Sequence, residues 1–248
     1  MKYQYVILDA DHTLFDFDRS EKAALLTTLR DFGLPANPSI HRIYQDINKP
    51  LWRRLEAGAI SATELKYQRT QQLFQHIAQQ HQHEGVEKTL AHIDLHDFLE
   101  HYLQALAQAV FLLPGVRATL SLLAPRCRMM ILTNGIHAMQ KKRLQNAGLE
   151  KLFSGLIASD QIGAAKPDVR MFSAALELLG HPPKQQVLMV GDQLATDIAG
   201  ANQMGIPSCW VHPAANRTLT HPIQPTYAIT RFDKLLHIVQ PDADPQTQ

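Results

Sequence analysis

Short, unbroken apolar runs recur along the chain, and apolar positions return every three or four residues between them. Tyr5-Val-Ile-Leu8 is the first run, and Met129-Met-Ile-Leu-Thr133 the second. Leu156-Ile-Ala158, Val187-Leu-Met-Val190, Ser208-Cys-Trp-Val211 and Tyr227-Ala-Ile-Thr230 have the same character. Runs this short without polar alternation suit strands covered on both faces, as in a parallel sheet. The segments Val116 to Leu123, Ala138 to Ala147, Val169 to Leu179 and Asp197 to Met204 carry helical spacing. Gly148, Gly180 and Gly205 fall where such helices should stop. Strand and helix in alternation predict an α/β class: an open parallel sheet with helices on both faces.

The interval 17–110 breaks this rhythm. It holds few strand-like runs and reads as helices over Arg19 to Phe32, Ser39 to Gly58, Ser61 to Gln82 and His96 to Gln108. A helical block between the first strand and the rest of a sheet is a domain insertion. The expected organisation is an α/β core of residues 1–16 and 111–240, an inserted helical bundle of 17–110, and a disordered tail of 241–248. The crossings are expected near Phe15 to Asp18 and Phe111 to Gly115, where Pro114-Gly115 is a turn signal.

Composition narrows the partners. The 248 residues carry 24 basic and 23 acidic side chains, a formal net charge of +1, which leaves no electrostatic footprint for a nucleic acid polymer or an anionic membrane. The first apolar run meets an aspartate within a few residues, too soon for a signal peptide or a membrane span. Cys127 and Cys209 form no metal-ligand spacing and read as reduced thiols. A cytoplasmic protein, monomer or homodimer, acting on a small molecule is the expectation.

In open α/β sheets ligands sit at the carboxyl ends of strands. The first strand ends in Asp9-Ala-Asp11-His-Thr13 and the second in Thr133-Asn134-Gly135. A later loop holds Lys166-Pro167, and a later strand ends in Gly191-Asp192, followed by Asp197. Carboxylates, a hydroxyl and one lysine thus gather at one sheet edge, and phosphoryl transfer explains the set. Asp9, ionised at neutral pH, can attack phosphorus without a base to activate it. Asp11 can protonate the leaving oxygen and then deprotonate the water that discharges the acyl phosphate. Thr133 and the amides around Asn134 can hold phosphoryl oxygens, and Lys166 neutralises charge shared by nucleophile and phosphate. Asp192 offers a hard oxygen ligand for Mg²⁺.

The motifs DADHTLF (Asp9 to Phe15), ILTNG (Ile131 to Gly135), AKPD (Ala165 to Asp168) and GDQLATDIAGA (Gly191 to Ala201) resemble the four signatures of haloacid dehalogenase-like hydrolases, in that family's order and across the whole core. The resemblance implies a Rossmann-like core with an inserted helical cap. It makes Asp9 the nucleophile, Asp11 the acid/base, Thr133 the phosphate-binding hydroxyl and Lys166 the motif lysine. It also implies Mg²⁺ held by Asp9, the backbone carbonyl of Asp11 and Asp192. Asp197 matches the second acid of the last motif, where it either joins the metal shell, caps a helix or orients Lys166. Relatives that displace halide lack the second aspartate of DAD, so Asp11 favours phosphate chemistry. His12 departs from the pattern, in which an acidic residue or a glycine is usual.

Asn48-Lys49-Pro50-Leu51-Trp52, Gly58-Ala-Ile60 and the Phe15 to Asp18 segment resemble the cap of bacterial pyrimidine 5′-nucleotidases. That resemblance implies a nucleoside monophosphate as substrate, with Trp52 or Phe17 stacked on the base and Asn48 or Lys49 meeting its polar edge or the sugar. A sugar-phosphate or phosphoglycolate-type phosphatase is the alternative within enzymes, and a non-catalytic binding protein on the same fold the alternative outside them. Each residue also has a plainer reading: Asp9 and Asp11 as a turn, Lys166 as a surface lysine, Trp52 as packing inside the helical block, and His76, His81 and His83 as a solvated helix face. Four motifs in order outweigh the first two of these.

Overall fold

The computed structural model describes residues 2–81, 85–213 and 221–240, the side chain of Glu56 apart. The tail 241–248, the 217–220 connection and His83 lie outside the described residues. The chain divides into two compact units. One takes Met1–Phe17 and resumes at Phe111; the other is Asp18–Val110.

The first unit is built on a single sheet of β1 (Tyr5–Leu8), β2 (Arg128–Thr133), β3 (Leu156–Ala158), β4 (Val187–Gly191), β5 (Ser208–Val211) and β6 (Tyr227–Ile229). Its order is β3-β2-β1-β4-β5-β6, and every neighbouring pair is parallel. The apolar runs form the buried centre because both faces are covered: Ile7, Met130, Leu132, Val187 and Met189 pack with Met171, Phe172, Ala175 and Leu176. Each of these side chains larger than alanine contributes roughly 1.5–3 kcal/mol through burial. From β1 the chain builds β2 and β3 on one side and then crosses to build β4, β5 and β6 on the other. The order therefore reverses between β1 and β4, and their carboxyl ends open the crevice where α/β sheets bind ligands. Leu8 lies in register with Ile131 and Val190, so Asp9 leaves the sheet in the middle of that edge.

The second unit holds α2 to α5 and all but the first residue of α1, the helices being α1 (Phe17–Asp31), α2 (Pro38–Glu56), α3 (Ala62–Gln80), α4 (Val86–Ala91) and α5 (Leu95–Gln108). Their starts are encoded locally. Asn37 accepts from the amides of Ser39 and Ile40 ahead of α2, Ser61 and Glu64 form a reciprocal capping box on α3, and Asp94 accepts from His96 and Asp97 on α5. Phe98 packs edge-on against Phe32 and Phe74, with centroids 5.2 and 4.9 Å away. The short α4 was not expected from the sequence; six residues are too few to show a helical period.

Around the sheet lie α6 (Val116–Leu123), α7 (His137–Asn146), α8 (Ser159–Ile162), α9 (Val169–Leu178), α10 (Ala199–Met204) and α11 (Leu235–Val239). Gly148, Gly180 and Gly205 take left-handed φ just past α7, α9 and α10, as helix stops do. The helix expected over Asp197 to Met204 is instead a wide π-type turn, Leu194–Ile198, that runs into α10. Its wider winding lets Asp197 accept from the amide of Gln193. The two crossings between the units lie side by side within the first unit: Phe15 pairs with Leu112, and the amides of Asp16 and Leu113 donate to the carbonyls of Phe111 and Leu14.

Candidate active site

Asp9 is the first residue past β1, and its amide still donates to Val190 O at 2.9 Å. Burial then surrounds its carboxylate with protein. Lys166 Nζ donates to Asp9 Oδ1 at 2.6 Å, to Asp197 Oδ1 at 2.6 Å and to Leu132 O at 2.9 Å. Those three bonds use every proton of the ammonium, which is only 2% exposed, so the charge is fixed in place. Burial alone would lower the lysine's pKa, but the Asp197 and Asp9 carboxylates outweigh it and hold the ammonium above its usual range. Lys166 itself is positioned from behind by Asn134, whose side chain accepts from the Lys166 amide at 2.7 Å and donates to its carbonyl at 3.1 Å.

Asp197 shares the Lys166 ammonium with Asp9. Its Oδ1 accepts from Lys166 and its Oδ2 from the Gln193 amide at 3.1 Å, so both oxygens are engaged in orienting Lys166 and the loop after β4. The approach is so close that a Cβ on Gly191 would fall 2.2 Å from Asp197 Oδ2, which is why the strand ends in glycine. Asp192 follows. Its backbone carbonyl accepts from Trp210 Nε1 at 2.7 Å, which pins the loop to the end of β5. Thr13 Oγ1 donates to Asp9 Oδ2 at 3.2 Å, and Asp192 Oδ1 lies 3.5 Å from the same hydroxyl.

Oxygens of Asp9, Asp192 and Asp197 all lie within 4.8 Å of one another. Three carboxylates face one lysine, so the cluster carries excess negative charge. Burial, reinforced by Asp197 and Asp11 and opposed by Lys166, pushes the Asp9 carboxyl up to about 7. Burial, Asp9 and Asp197 push Asp192 up to about 8. A hard divalent cation fits this donor set: the ligands are all oxygen, and the charge they lack is positive.

Thr133 ends β2, buried, with its Oγ1 accepting from the Gly135 amide at 3.0 Å. The turn it opens is held by Ser159 Oγ, which donates to Asn134 O at 2.8 Å, and by Asp160, which accepts from the His137 amide at 3.0 Å. Asn134 was expected beside the phosphate; its side chain is spent on Lys166, and only its backbone is left for such a role. Asp11 is held by two residues that the sequence reading passed over. Gln140 Nε2 donates to its Oδ2 at 2.6 Å, and Arg143 Nη1 forms a short ion pair with its Oδ1. Their spacing of three on α7 puts both on one helix face, and that was the available signal. His12, directly after Asp11, takes φ 61°, a left-handed value that explains why glycine is usual there.

In the helical unit one expected ligand contact, that of Asn48, meets a correction. Asn48 is 6% exposed; its side chain donates to Glu21 Oε1 at 2.9 Å and accepts from Arg69 Nη1 at 3.1 Å. It is committed inside the bundle rather than presented to a base or sugar. Trp52 packs, partly buried, on the apolar cluster of Leu51, Ile60 and Leu65. Lys49 is exposed, and Phe17 lies edge-on to His12 at 5.8 Å.

A sequence profile of the haloacid dehalogenase-like hydrolases matches residues 3–205. The pyrimidine 5′-nucleotidase YjjG of Escherichia coli K12 is 31% identical over 235 residues, covering 95% of this chain and 97% of that one. The pyrimidine 5′-nucleotidase PynA of Streptococcus pneumoniae is 34% identical over 237 residues, covering 95% and 94%. Among solved structures, the putative HAD-hydrolase YfnB of Bacillus subtilis, bound to magnesium, superposes with a TM-score of 0.79 at 28% identity and covers 96% of this chain and 99% of that one.

Proposed function

The chain belongs to the haloacid dehalogenase-like hydrolases, and on that premise we propose that it is a cytoplasmic Mg²⁺-dependent phosphomonoesterase acting through an aspartyl-phosphate at Asp9. The observation that carries the reading is the Asp9–Lys166–Asp197 chain of 2.6 Å contacts beside Asp192, at the point where the strand order reverses. It offers a buried carboxylate nucleophile, a fixed cation beside it and an unbalanced acid set.

The chemistry runs in two displacements. A carboxylate oxygen of Asp9 bonds to phosphorus as the ester P–O bond breaks, and Asp11 gives its proton to the departing oxygen. A water molecule then loses a proton to Asp11 and attacks phosphorus. The bond to Asp9 breaks, and inorganic phosphate leaves. Thr133 Oγ1 and the amides around Asn134 hold phosphoryl oxygens, and Lys166 offsets the charge that Asp9 and the phosphoryl group share. The carboxylates of Asp9 and Asp192 with the backbone carbonyl of Asp11 would hold Mg²⁺, which supplies charge neutralisation between an anionic nucleophile and an anionic phosphate. Asp197 serves as the orienter of Lys166.

For the substrate we infer a pyrimidine nucleoside 5′-monophosphate. Two full-length relatives named as pyrimidine 5′-nucleotidases, at 31% and 34% identity, support it. The helical unit acts as the cap in this reading, with Trp52 as the base-stacking candidate. Phosphate release from a panel of phosphorylated metabolites, with Mg²⁺ and with excess chelator, tests the proposal. Mg²⁺-dependent release led by pyrimidine nucleoside monophosphates is expected. Release led by sugar phosphates would keep the chemistry and discard the nucleotide; no release would discard both.

A further inference from the structure

Two of the three side chains that α7 buries are polar, where a helix packed on a sheet is ordinarily apolar: Gln140 is 2% exposed and Arg143 0%, beside Leu144. The guanidinium sits 4.2 Å from the Phe15 ring centroid and 5.5 Å from that of Phe17. Its Nη1 serves both Asp11 Oδ1 and Gln140 Oε1, the latter at 3.1 Å, while Nε and Nη2 have no hydrogen-bond partner among the described residues. Gln140 completes the arrangement by donating to the other Asp11 oxygen. A Cβ on Gly135 would fall 2.7 Å from Gln140 Nε2, so the glycine after Asn134 keeps the path to Asp11 open.

Stability does not explain this arrangement. A buried guanidinium with three N–H donors unpaired is unfavourable, and an apolar side chain of similar volume would pack there at least as well. Asp11 is different. Its side chain keeps 26% exposure, so water would solvate it if the arginine were gone, and its carboxylate is the group this face immobilises. A free aspartate on a turn visits several rotamers, and proton transfer requires the oxygen within hydrogen-bond reach of the leaving atom.

We infer that Arg143 and Gln140 are positioning residues for the acid/base: a two-pronged clamp, braced on Phe15 and Phe17, that fixes both Asp11 oxygens for proton transfer to the leaving group. The inference rests on the assignment of Asp11 as the acid. In the first displacement the ester P–O bond breaks while the P–O bond to Asp9 forms, and the proton on Asp11 goes to the departing oxygen. The clamp thus bears on leaving groups that cannot depart as anions and little on those that can.

The test uses the full chain with saturating Mg²⁺ and two substrates matched in size, phenyl phosphate and 4-nitrophenyl phosphate. Comparison by kcat/KM confines the measurement to steps up to leaving-group departure, so the later attack of water does not enter. In Arg143→Met the ratio of phenyl to 4-nitrophenyl kcat/KM should fall about tenfold or more, a share of the 10²–10⁴-fold that a general acid supplies. Gln140→Leu should shift the ratio in the same direction, and Arg143→Lys less than Arg143→Met. Thermal midpoints should stay within about 4 °C of the unaltered protein. Equal losses on both substrates, or an unchanged ratio, would overturn the clamp, and if Arg143→Met does not fold, Gln140→Leu and Arg143→Lys decide. Asp11→Asn, run alongside, separates the two layers. A shifted ratio there with none in the clamp variants sinks the clamp alone, whereas an unshifted ratio in Asp11→Asn removes the acid assignment and the clamp with it.

Discussion

Each unit of the molecule buries an ionic cluster, and the two are built on opposite principles. In the helical unit Glu21 accepts from Asn48 and lies 3.3 Å from His41 Nε2, while Arg69 donates to Asn48 and its guanidinium lies 5.1 and 5.4 Å from the ring centroids of Tyr44 and Tyr102. One acid there meets one permanent cation through an amide, and the set is balanced. In the sheet unit Asp9, Asp192 and Asp197 gather around Lys166, the one cation ion-paired within the cluster among the described residues. The first cluster joins helices. The second gathers the ends of β1 and β4 and the loop that carries Lys166, segments far apart in sequence, and leaves a charge deficit that a bound cation or protons on the acids must supply. Burial of charge is common to both, so burial does not mark the functional one; the imbalance does.

The comparison can be broken at several points, and the largest effect belongs to the nucleophile. Asp9→Asn should lower turnover by about 10⁴-fold or more while circular dichroism stays unchanged; near-normal turnover would remove Asp9 from the chemistry. Lys166→Met comes next. It should lower kcat by about 10²–10³-fold and, by leaving the acids unpaired, lower stability by about 3 kcal/mol without metal. Denaturant unfolding with and without Mg²⁺ would read this, and a variant as stable as the parent would show that the lysine is not holding the cluster together.

The excess acid also predicts a pH dependence. Asp9 and Asp192 have folded-state values raised to about 7 and about 8, above those of an unfolded chain. The folded state therefore holds protons that the unfolded state has lost, and metal-free stability should fall as pH rises from about 4 through 8. Mg²⁺ should flatten that slope; a metal-free profile that rises over the same window would contradict the charge count. The balanced cluster should behave otherwise. Asn48→Ala should lower stability by about 1–3 kcal/mol, since Glu21 and Arg69 each lose a buried partner, yet shift kcat and kcat/KM for a pyrimidine nucleoside monophosphate by less than about threefold. A large kcat loss without destabilisation would return Asn48 to the substrate.

Much of this was legible in the sequence, for physical reasons that also set the limits. Runs such as Val187–Gly191 are strands because nothing polar interrupts them, and a sheet covered on both faces requires that. Asp9, Lys166 and Asp192 stand at strand ends or in one short motif, so their meeting follows from a parallel topology. Gln140 and Arg143 were missed because a polar pair three apart on a helix ordinarily marks the solvated face, and only the packed structure shows it turned inward. Asn48 is placed at the substrate by the resemblance of the Asn48 to Trp52 segment to a nucleotidase cap; its burial depends on Glu21 and Arg69, which are 27 and 21 residues away and invisible to that local likeness. The helix expected to begin at Asp197 begins at Ala199, after the wide turn Leu194–Ile198, because that winding has no sequence period of its own.

The most direct test of the central claim is to look for the phosphoryl group on Asp9. The Asp11→Asn variant, mixed with Mg²⁺ and 4-nitrophenyl phosphate, should transfer a phosphoryl group without needing the acid and then stall for want of the base. Acid quenching and peptide mass spectrometry should find one phosphoryl group, on the peptide that carries Asp9 and absent from it in Asp9→Asn. Release of 4-nitrophenol at full burst with no adduct on that peptide would contradict the account.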